Sequence, residues 1–185
     1  MKIIACILTV VFLFTGCGRT SSELDAAMEL RQKLLTGNCS FTADITADFG
    51  DELYCFRMDC NVDSCGNMIF SVVEPASIAG ITGTISADDA KLTFDETVLS
   101  FPALAGGRLV PVIGPWVFIN TLRSGYLSGC GKEGDGLCIL ADDSYDDNSL
   151  QLNILTDAAA VPYQADIFWN QQRILFLQIS NFAFL

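Results

Sequence analysis

The sequence has no histidine, and its 185 residues include only 10 lysines and arginines against 22 aspartates and glutamates. Without histidine there is no Ser-His or Cys-His nucleophilic pair, no histidine-bound zinc and no general base of the usual kind near neutral pH. The net charge of −12 argues against nucleic acid as a partner, because duplex affinity is built from cationic side chains that neutralise phosphates. Carboxylate pairs that could hydrolyse glycosides arise by chance among so many acids. We therefore expect no enzyme activity, no cofactor and no nucleic acid.

The sequence also lacks an apolar run of about eighteen residues, the length that a membrane-spanning helix needs. Residues 3–14 follow Lys2 and are apolar except for Thr9, which is the pattern of a secretory signal and is too short to cross a bilayer of about 30 Å. The composition, with 51% hydrophobic residues, indicates one domain with a core.

The apolar run ends in a short motif, Phe14-Thr15-Gly16-Cys17. It resembles the lipobox of bacterial lipoproteins, in which small residues precede a cysteine that receives diacylglycerol and becomes the mature amino terminus. The resemblance implies a signal peptide at 1–16, a lipidated tether at 17–21 and a single domain at 22–185. It also implies an extracytoplasmic protein that is anchored to the cell membrane by lipid at Cys17, since two or more acyl chains form a stable anchor. The alternatives to a lipidated signal are an ordinary signal peptide that is cut nearby and a short buried strand or helix at the amino terminus.

Six further cysteines lie in the expected domain, and an even number outside the cytoplasm favours disulfides. Six cysteines allow fifteen connectivities, and sequence alone cannot choose among them. Local geometry favours Cys130 with Cys138 first and Cys39 with Cys60 next, which leaves Cys55 with Cys65 as the remaining pair. The first pair flanks a glycine-rich turn at 131–136, and a hairpin near 49–51 would place Cys39 opposite residues 60–62. Free thiols are the alternative in a reducing compartment. Metal binding by the 55-60-65 cluster is disfavoured, because the spacing is not that of zinc sites and no histidine completes it.

Hydrophobic periodicity predicts one helix followed by a long antiparallel meander. An apolar face with a plausible N-cap at Ser22 and a C-cap glycine at Gly37 predicts a helix at about 23–36. From residue 41 the period changes to two, which is typical of half-buried strands. The predicted strands lie at 41–49, 54–59, 68–72, 81–85, 91–94, 137–140, 150–154, 163–169 and 173–184, with a final turn at 170–172.

Prolines replace the alternation between residues 100 and 126, where Pro115 begins a predicted short helix that ends before Gly125. A meander of eight to ten strands must curl, because a flat open sheet would leave one apolar face bare. The predicted fold class is α+β and mainly β: a curved antiparallel sheet, or incomplete barrel, with an N-terminal helix and short lid helices.

Five parts of this pattern together resemble one family. They are the amino-terminal amphipathic helix, the phenylalanine-led strand at 39–45, the segment from Gly66 through Phe70 to Pro75, the mid-chain helical insertion, and the closing hairpin at 162–182. The pattern looks like the LolA/LppX-like lipoprotein superfamily and covers most of 22–185. The resemblance implies an incomplete barrel around an apolar cavity with helices as a lid. It also implies, as in many members, binding or carriage of acyl chains at the cell envelope.

The expected ligand is therefore lipidic or amphiphilic, held in an apolar cavity. The candidate lining residues are those on the alternating strands or on the proposed lid: Phe56, Phe70, Ile81, Phe94, Trp116 and Phe118. The alternative is that the aromatic residues fill a packed core and that the chain is a non-enzymatic envelope interaction module, which binds an unknown protein through its acidic face or a sheet edge. The acidic stretch at 142–148 lacks the D-x-D-x-D-G order of an EF-hand and has the composition of a solvated hairpin loop, so calcium is disfavoured and no metal site is predicted.

The lipidation site is testable directly. We expect Cys17→Ala to release the protein from the membrane fraction, because the acyl chains would be its only anchor. Fractionation with immunoblotting measures this, and undiminished retention of the variant in the membrane fraction would contradict lipidation.

Overall fold

Two α-helices and thirteen strands form the part of the chain that the computed structural model describes, namely residues 22–87, 89–94, 97–100, 104–105, 108–146 and 149–185. The predicted signal peptide, tether and Cys17 lie outside these residues. The helices are α1 (Ser22–Thr36) and α2 (Gly114–Ser124). The strands are β1 (Cys39–Asp48), β2 (Leu53–Val62), β3 (Met68–Glu74), β4 (Thr82–Ile85), β5 (Ala90–Phe94), β6 (Thr97–Ser100), β7 (Leu104–Ala105), β8 (Arg108–Leu109), β9 (Tyr126–Glu133), β10 (Gly136–Asp142), β11 (Gln151–Thr156), β12 (Pro162–Trp169) and β13 (Gln172–Phe184).

Eleven strands form one open antiparallel sheet in the order β6-β5-β4-β3-β2-β1-β13-β12-β11-β10-β9. It consists of two meanders, β1 to β6 and β9 to β13, which join where β1 pairs with β13. The connection between the meanders contains the β7–β8 pair, a 3₁₀ turn at Pro111–Ile113, and α2. The predicted curved sheet with covering helices is confirmed, and the sheet does not close into a barrel.

The sheet's two faces follow from the sequence alternation, as strand β1 shows. Alternate residues of β1 are buried, and we call the face that they occupy the inner face; its β1 members are Cys39, Phe41, Ala43, Ile45 and Ala47. Residues that lie directly opposite one another share a face, so the partners of β1 on β2 and β13 extend the inner face. The intervening threonines and aspartates point to the outer face, which is why β1 carries the alternation so clearly.

The predicted helices and turns are confirmed with small shifts in their bounds. α1 begins at Ser22, α2 ends before Gly125, and the β1–β2 hairpin turns at Gly50, where a φ of 86° suits glycine. The last hairpin turns at Asn170 and Gln171, both left-handed with φ of 49° and 66°, as a two-residue turn requires.

Helix α2 covers the middle of the inner face. Eight of its eleven residues are buried, and Phe118 meets the Phe41 ring edge-on with centroids 5.9 Å apart. The helix begins so close to β13 that a Cβ on Gly114 would lie 2.9 Å from Leu175 Cδ1. Only glycine fits there without displacing the leucine, so this approach places the start of α2 directly on β13, next to the central strand β1.

The two helices are joined by arginines that each reach the carboxyl end of the other helix. Arg31 on α1 donates from Nε to Leu122 O at 2.7 Å and from Nη2 to Gly125 O at 2.8 Å. Arg123 on α2 donates from Nη1 to Leu34 O and from Nη2 to Ser64 O, the latter at 2.7 Å. A guanidinium near a helix carboxyl end satisfies carbonyls that lack intrahelical partners and interacts favourably with the dipole. We call this pair the arginine clamp.

Strand β9 and the short strands β6, β7 and β8 were not predicted. Gly129 and Gly131 interrupt the alternation in β9, and glycine has low strand propensity. The short strands flank segments outside the described residues. The prediction of eight to ten strands was therefore too low, and the expected lid consists of one α-helix and a 3₁₀ turn rather than several helices.

Neither α1 nor α2 has the length and apolar character that crossing a bilayer requires, and the rest of the described chain contains no other helix that does.

The bonds of the arginine clamp predict that replacing Arg123 lowers the free energy of unfolding. Arg123 is only 8% exposed, so Arg123→Met would leave the carbonyl of the buried Leu34 without this donor, whereas Ser64 is exposed and water can replace the bond to its carbonyl. An unsatisfied buried acceptor costs about 1–3 kcal/mol, so we expect the free energy of unfolding to fall by about 2 kcal/mol. Urea denaturation followed by circular dichroism measures this change.

Lys33→Met is the matched control. Lys33 pairs with Glu29 on the exposed side of α1 at 2.9 Å, and such a pair contributes at most about 0.5 kcal/mol. Equal losses in the two variants would contradict the role given to the clamp.

Candidate functional site

An apolar groove of about 410 Å³ lies on the inner face, beyond the area that α2 covers. It is open to solvent on one side. Eleven of its twelve described lining residues are hydrophobic, aromatic or proline, and one is an acid; they are Phe49, Glu52, Tyr54, Phe56, Val72, Ile78, Ile81, Leu92, Leu109, Val110, Pro111 and Val112. This set defines the apolar groove.

The alternation of side chains along the strands shows which residues form the floor of the groove. Tyr54 and Phe56 lie opposite Ala47 and Ile45 of β1, which are inner-face residues, so both rings stand on that face. Val72 on β3 and Leu92 on β5 continue the floor across neighbouring strands. The floor is thus a half-buried sheet surface without a helix on top of it.

The β3–β4 connection closes one side of the groove through Ile78 and Ile81. It is bonded back to β3: the Val72 N–H donates to Ile81 O at 2.8 Å, and the Gly80 N–H donates to Val72 O at 2.9 Å. Both isoleucines are half-buried, so the connection presents apolar side chains in a fixed position.

The segment that leads into α2 completes the lining with residues 109–112. The Ile113 N–H donates to Val110 O at 2.9 Å and closes the 3₁₀ turn, after which α2 begins at Gly114. The position of this wall therefore depends on how α2 is seated, and thereby on the arginine clamp.

The polar end of the groove is the β1–β2 hairpin. The Tyr54 hydroxyl donates to Glu52 Oε2 at 2.7 Å, and the Phe49 ring packs edge-on against Tyr54 with centroids 6.3 Å apart. Glu52 is exposed, so it marks the rim rather than the floor. No lysine or arginine is among the described lining residues.

Two of the six predicted lining residues, Phe56 and Ile81, line the groove. Two others do not: Phe70 and Phe118 are fully buried in the core. Phe70 lies directly opposite Gly83, where an added Cβ would come within 2.6 Å of its ring, so the missing side chain makes room for the phenylalanine. Phe118 lies against Phe41 under α2.

The remaining two predicted lining residues are Trp116 and Phe94. Trp116 is half-buried on α2 and donates from Nε1 to Gly66 O at 3.0 Å, so it ties the helix to the β2–β3 turn and is not among the lining residues. The side chain of Phe94 lies outside the described residues.

Ten of the twelve described lining residues were not predicted: Phe49, Glu52, Tyr54, Val72, Ile78, Leu92 and residues 109–112. The available signal was the run Leu109-Val110-Pro111-Val112, which is apolar but does not alternate and stands between two prolines of an irregular segment. Its apolar character without a helical or strand period marks a covering segment, but only the seating of α2 shows what it covers.

The six described cysteines are free thiols, which contradicts the three predicted pairs. Cys130 lies opposite Ile139, one position out of register with Cys138, so the two thiols occupy opposite faces. Accordingly the Cys130 thiol contacts Glu23 O of α1 at 3.2 Å, whereas the Cys138 thiol contacts Asn153 Oδ1 at 3.1 Å.

The other two predicted pairs are excluded by distance along the sheet. Cys39 lies opposite Val62 and Cys60 opposite Phe41, a diagonal relation with Cα atoms about 7–8 Å apart, beyond the usual disulfide range. Cys55 lies near the start of β2 and Cys65 beyond its end, about 23 Å or more apart at the rise of a strand.

The two buried thiols are held protonated by their surroundings. Burial raises the pKa of the Cys39 thiol to about 11, an effect that the nearby Arg123 guanidinium partly opposes. Burial also raises the pKa of the Cys60 thiol far above its ordinary value, and the neighbouring Asp59 carboxylate acts in the same direction. Both thiols therefore behave as small apolar core residues.

No group of three or more histidine, cysteine, aspartate or glutamate side chains is placed to hold a metal ion within the described ranges. In the acidic stretch at 142–148, of which residues 147–148 lie outside the description, Asp143 accepts the Leu150 N–H at 2.8 Å. Through this bond the carboxylate closes a loop against the backbone. Its burial there raises the pKa of Asp143.

Comparison with known proteins finds no matching protein-family model and no curated protein that matches in sequence. Among solved structures, a DUF1329 family protein from Desulfovibrio piger has a TM-score of 0.51 at 10% identity, over 86% of this chain and 90% of that chain. A LolA superfamily protein from Nitrosomonas europaea has a TM-score of 0.44 at 11% identity, over 84% and 92%. The lipoprotein LppX from Mycobacterium tuberculosis has a TM-score of 0.39 at 10% identity, over 87% and 96%.

The likeness to the DUF1329 family protein shows that the two chains share a fold. At these identities a structural likeness shows fold alone, so the use of the apolar groove has to be argued from this chain's own residues.

The burial and exposure of the thiols predict how fast each cysteine reacts with an alkylating reagent. We expect iodoacetamide at about pH 8 to alkylate the exposed Cys55 and Cys65 readily and Cys39 at least about 100-fold more slowly, because a pKa of about 11 leaves little thiolate and the side chain is buried. Pulsed alkylation with peptide mass spectrometry measures the rate at each cysteine.

Repeating the pulse in denaturant without reductant is the control, and there all six cysteines should react at similar rates. Native labelling of Cys39 as fast as Cys55, or cysteines that stay unreactive in denaturant, would contradict free, buried thiols.

Proposed function

We propose that this protein is a membrane-anchored extracytoplasmic lipoprotein that binds the acyl chain of a lipidic or amphiphilic ligand in the apolar groove, without covalent chemistry. The observation that carries the proposal is the groove itself: about 410 Å³, open to solvent, with a lining of aromatic and aliphatic side chains and a single charged residue. The anchor at Cys17 is proposed from its lipobox-like sequence.

The size and lining of the groove suit an acyl chain. Ligand sites are commonly concave, mainly apolar and about 300–1,000 Å³ in volume. Burial of a methylene group contributes about 0.8 kcal/mol, so a chain that buries about ten methylenes gains about 8 kcal/mol before the costs of association. Affinity of this kind needs no catalytic group and no metal.

The cost of an empty groove points the same way. Contiguous exposed apolar surface is uncommon on monomeric proteins and marks binding sites when it occurs. Backbone hydrogen bonds fix two parts of the wall that would have to move to fill the groove, the β3–β4 connection and the 3₁₀ turn before α2. The groove therefore does not collapse readily, and an apolar ligand that occupied it would remove its apolar surface from water.

A second candidate function is a non-enzymatic protein-interaction module, and one observation favours it. The inner face beneath α2 is packed solid, with residues such as Phe118, Ile119 and Leu122 essentially without solvent contact. The packing stops at residues 109–112, however, and leaves the groove uncovered. Lipid binding is favoured because the groove has the size and the apolar lining of a small-molecule site, whereas a module that binds through its acidic face or a sheet edge does not need such a groove.

Filling the groove tests the proposal. We expect Ile81→Trp to weaken binding of a fluorescent fatty-acid analogue at least about tenfold, because the indole would occupy the space of the acyl chain. The same variant should co-purify with less lipid from membranes, as measured by native mass spectrometry.

Ile69→Trp is the matched control. Ile69 lies on the outer face of β3 and is 61% exposed, so the same substitution there should leave binding unchanged. The absence of any bound lipid in the wild type, or equal binding by the two variants, would contradict the proposed site.

A further inference from the structure

The charges around the apolar groove are distributed one-sidedly. Glu52 is the only ionisable acid among the described lining residues, and neither lysine nor arginine accompanies it. Its hairpin also carries Asp48 and Asp51, both exposed, of which Asp48 accepts the Gly50 N–H through Oδ1 at 2.9 Å. A head group at this rim therefore meets negative charge.

The nearest described cations on the groove's own strands are engaged elsewhere. Arg57 of β2 lies on the outer face, where it bonds Asp44 at 2.6 Å and Glu74 at 3.1 Å. Lys91 of β5 is exposed and pairs with Asp89 at 2.5 Å. Because successive residues of a strand point to opposite faces, neither side chain shares the face of its groove-lining neighbour, Phe56 or Leu92.

Glu52 can also accept hydrogen bonds from a ligand. The Tyr54 hydroxyl occupies one position on Oε2 at 2.7 Å, and an ionised carboxylate has about four acceptor positions on its two oxygens. The tyrosine bond also orients the carboxylate, because the Tyr54 ring is packed against Phe49. The rim thus combines a fixed acceptor with an apolar floor that begins next to it.

From this arrangement we propose that the apolar groove selects amphiphiles whose head group bears hydrogen-bond donors and no negative charge, and that Glu52 is the specificity-determining residue. The inference rests on the proposed function, since it concerns the head group of a ligand whose chain occupies the groove. A hydroxyl or an ammonium group supplies the required chemistry, whereas a carboxylate or phosphate would be repelled by Glu52 and would not supply it with a further donor.

The test compares three probes that share a dodecyl or dodecanoyl chain: dodecylammonium, monododecanoylglycerol and dodecanoate. Calorimetry below the critical micelle concentrations measures their affinities for the full folded chain. At low salt we expect the cationic and neutral probes to bind at least about tenfold more tightly than the anion, and salt to narrow the gap between cation and anion.

Glu52→Gln should reduce the ratio of cation to anion affinity about tenfold, because it removes the charge and keeps the shape. Tyr54 can still donate to the amide oxygen, so the hairpin should keep its fold, which circular dichroism checks. Glu133→Gln, an exposed acid of β9 at the far edge of the sheet, is the matched control and should leave the ratio unchanged.

The possible results distinguish a failure of head-group selectivity from a failure of lipid binding. Equal binding of all three probes, or an unchanged ratio in Glu52→Gln, overturns the selectivity and leaves lipid binding standing. Tightest binding of dodecanoate overturns it in favour of a site that selects anionic head groups. Failure of every probe to bind overturns the proposed function together with this inference.

Discussion

Burial of helix α2 on the inner face of the sheet is the interaction on which the rest of the structure depends. The helix starts directly on β13 at Gly114, buries eight of its eleven residues, and is tied to α1 by the arginine clamp. Because the helix is only three turns long, it covers the middle of the sheet and not the end formed by the β1–β2 hairpin. The packed core and the open groove are thus two results of the same placement.

The same placement connects the clamp to the candidate site. The residues that precede α2 form one wall of the apolar groove, and their 3₁₀ turn passes directly into the helix. A shift of α2 would therefore move Val110 and Val112 relative to the floor on β2 and β3. A change in the clamp that loosened α2 would therefore alter the shape of the groove as well as the stability of the fold.

Sequence periodicity could predict the elements whose two faces differ most in polarity. Strand β1 alternates apolar residues with threonine and aspartate, and the Asn170-Gln171 turn stands between two apolar runs, so both were found. Alternation also shows which residues point inwards, as for Phe56 and Phe70, but it does not show what lies above them. Whether an inward side chain lines a groove or fills a core depends on the path of α2, which is a long-range property.

The cysteines illustrate the same limit at shorter range. Spacing placed Cys39 opposite the end of β2 correctly, but a disulfide depends on register and face to within one residue. One position of register separates Cys130 from Cys138 and sends the two thiols to opposite faces. Proximity in sequence around a turn is therefore a poor guide to pairing when both cysteines lie in strands.

The most direct measurement of the central claim is where an acyl chain touches the protein. With isoleucine methyl groups labelled with ¹³C, intermolecular nuclear Overhauser effects from a bound chain should reach Ile78 and Ile81 in the groove. They should not reach Ile69 on the outer face or Ile139 in the core. Contacts at Ile69, or none at Ile78 and Ile81 under conditions in which the chain is bound, would show that the groove is not the lipid site.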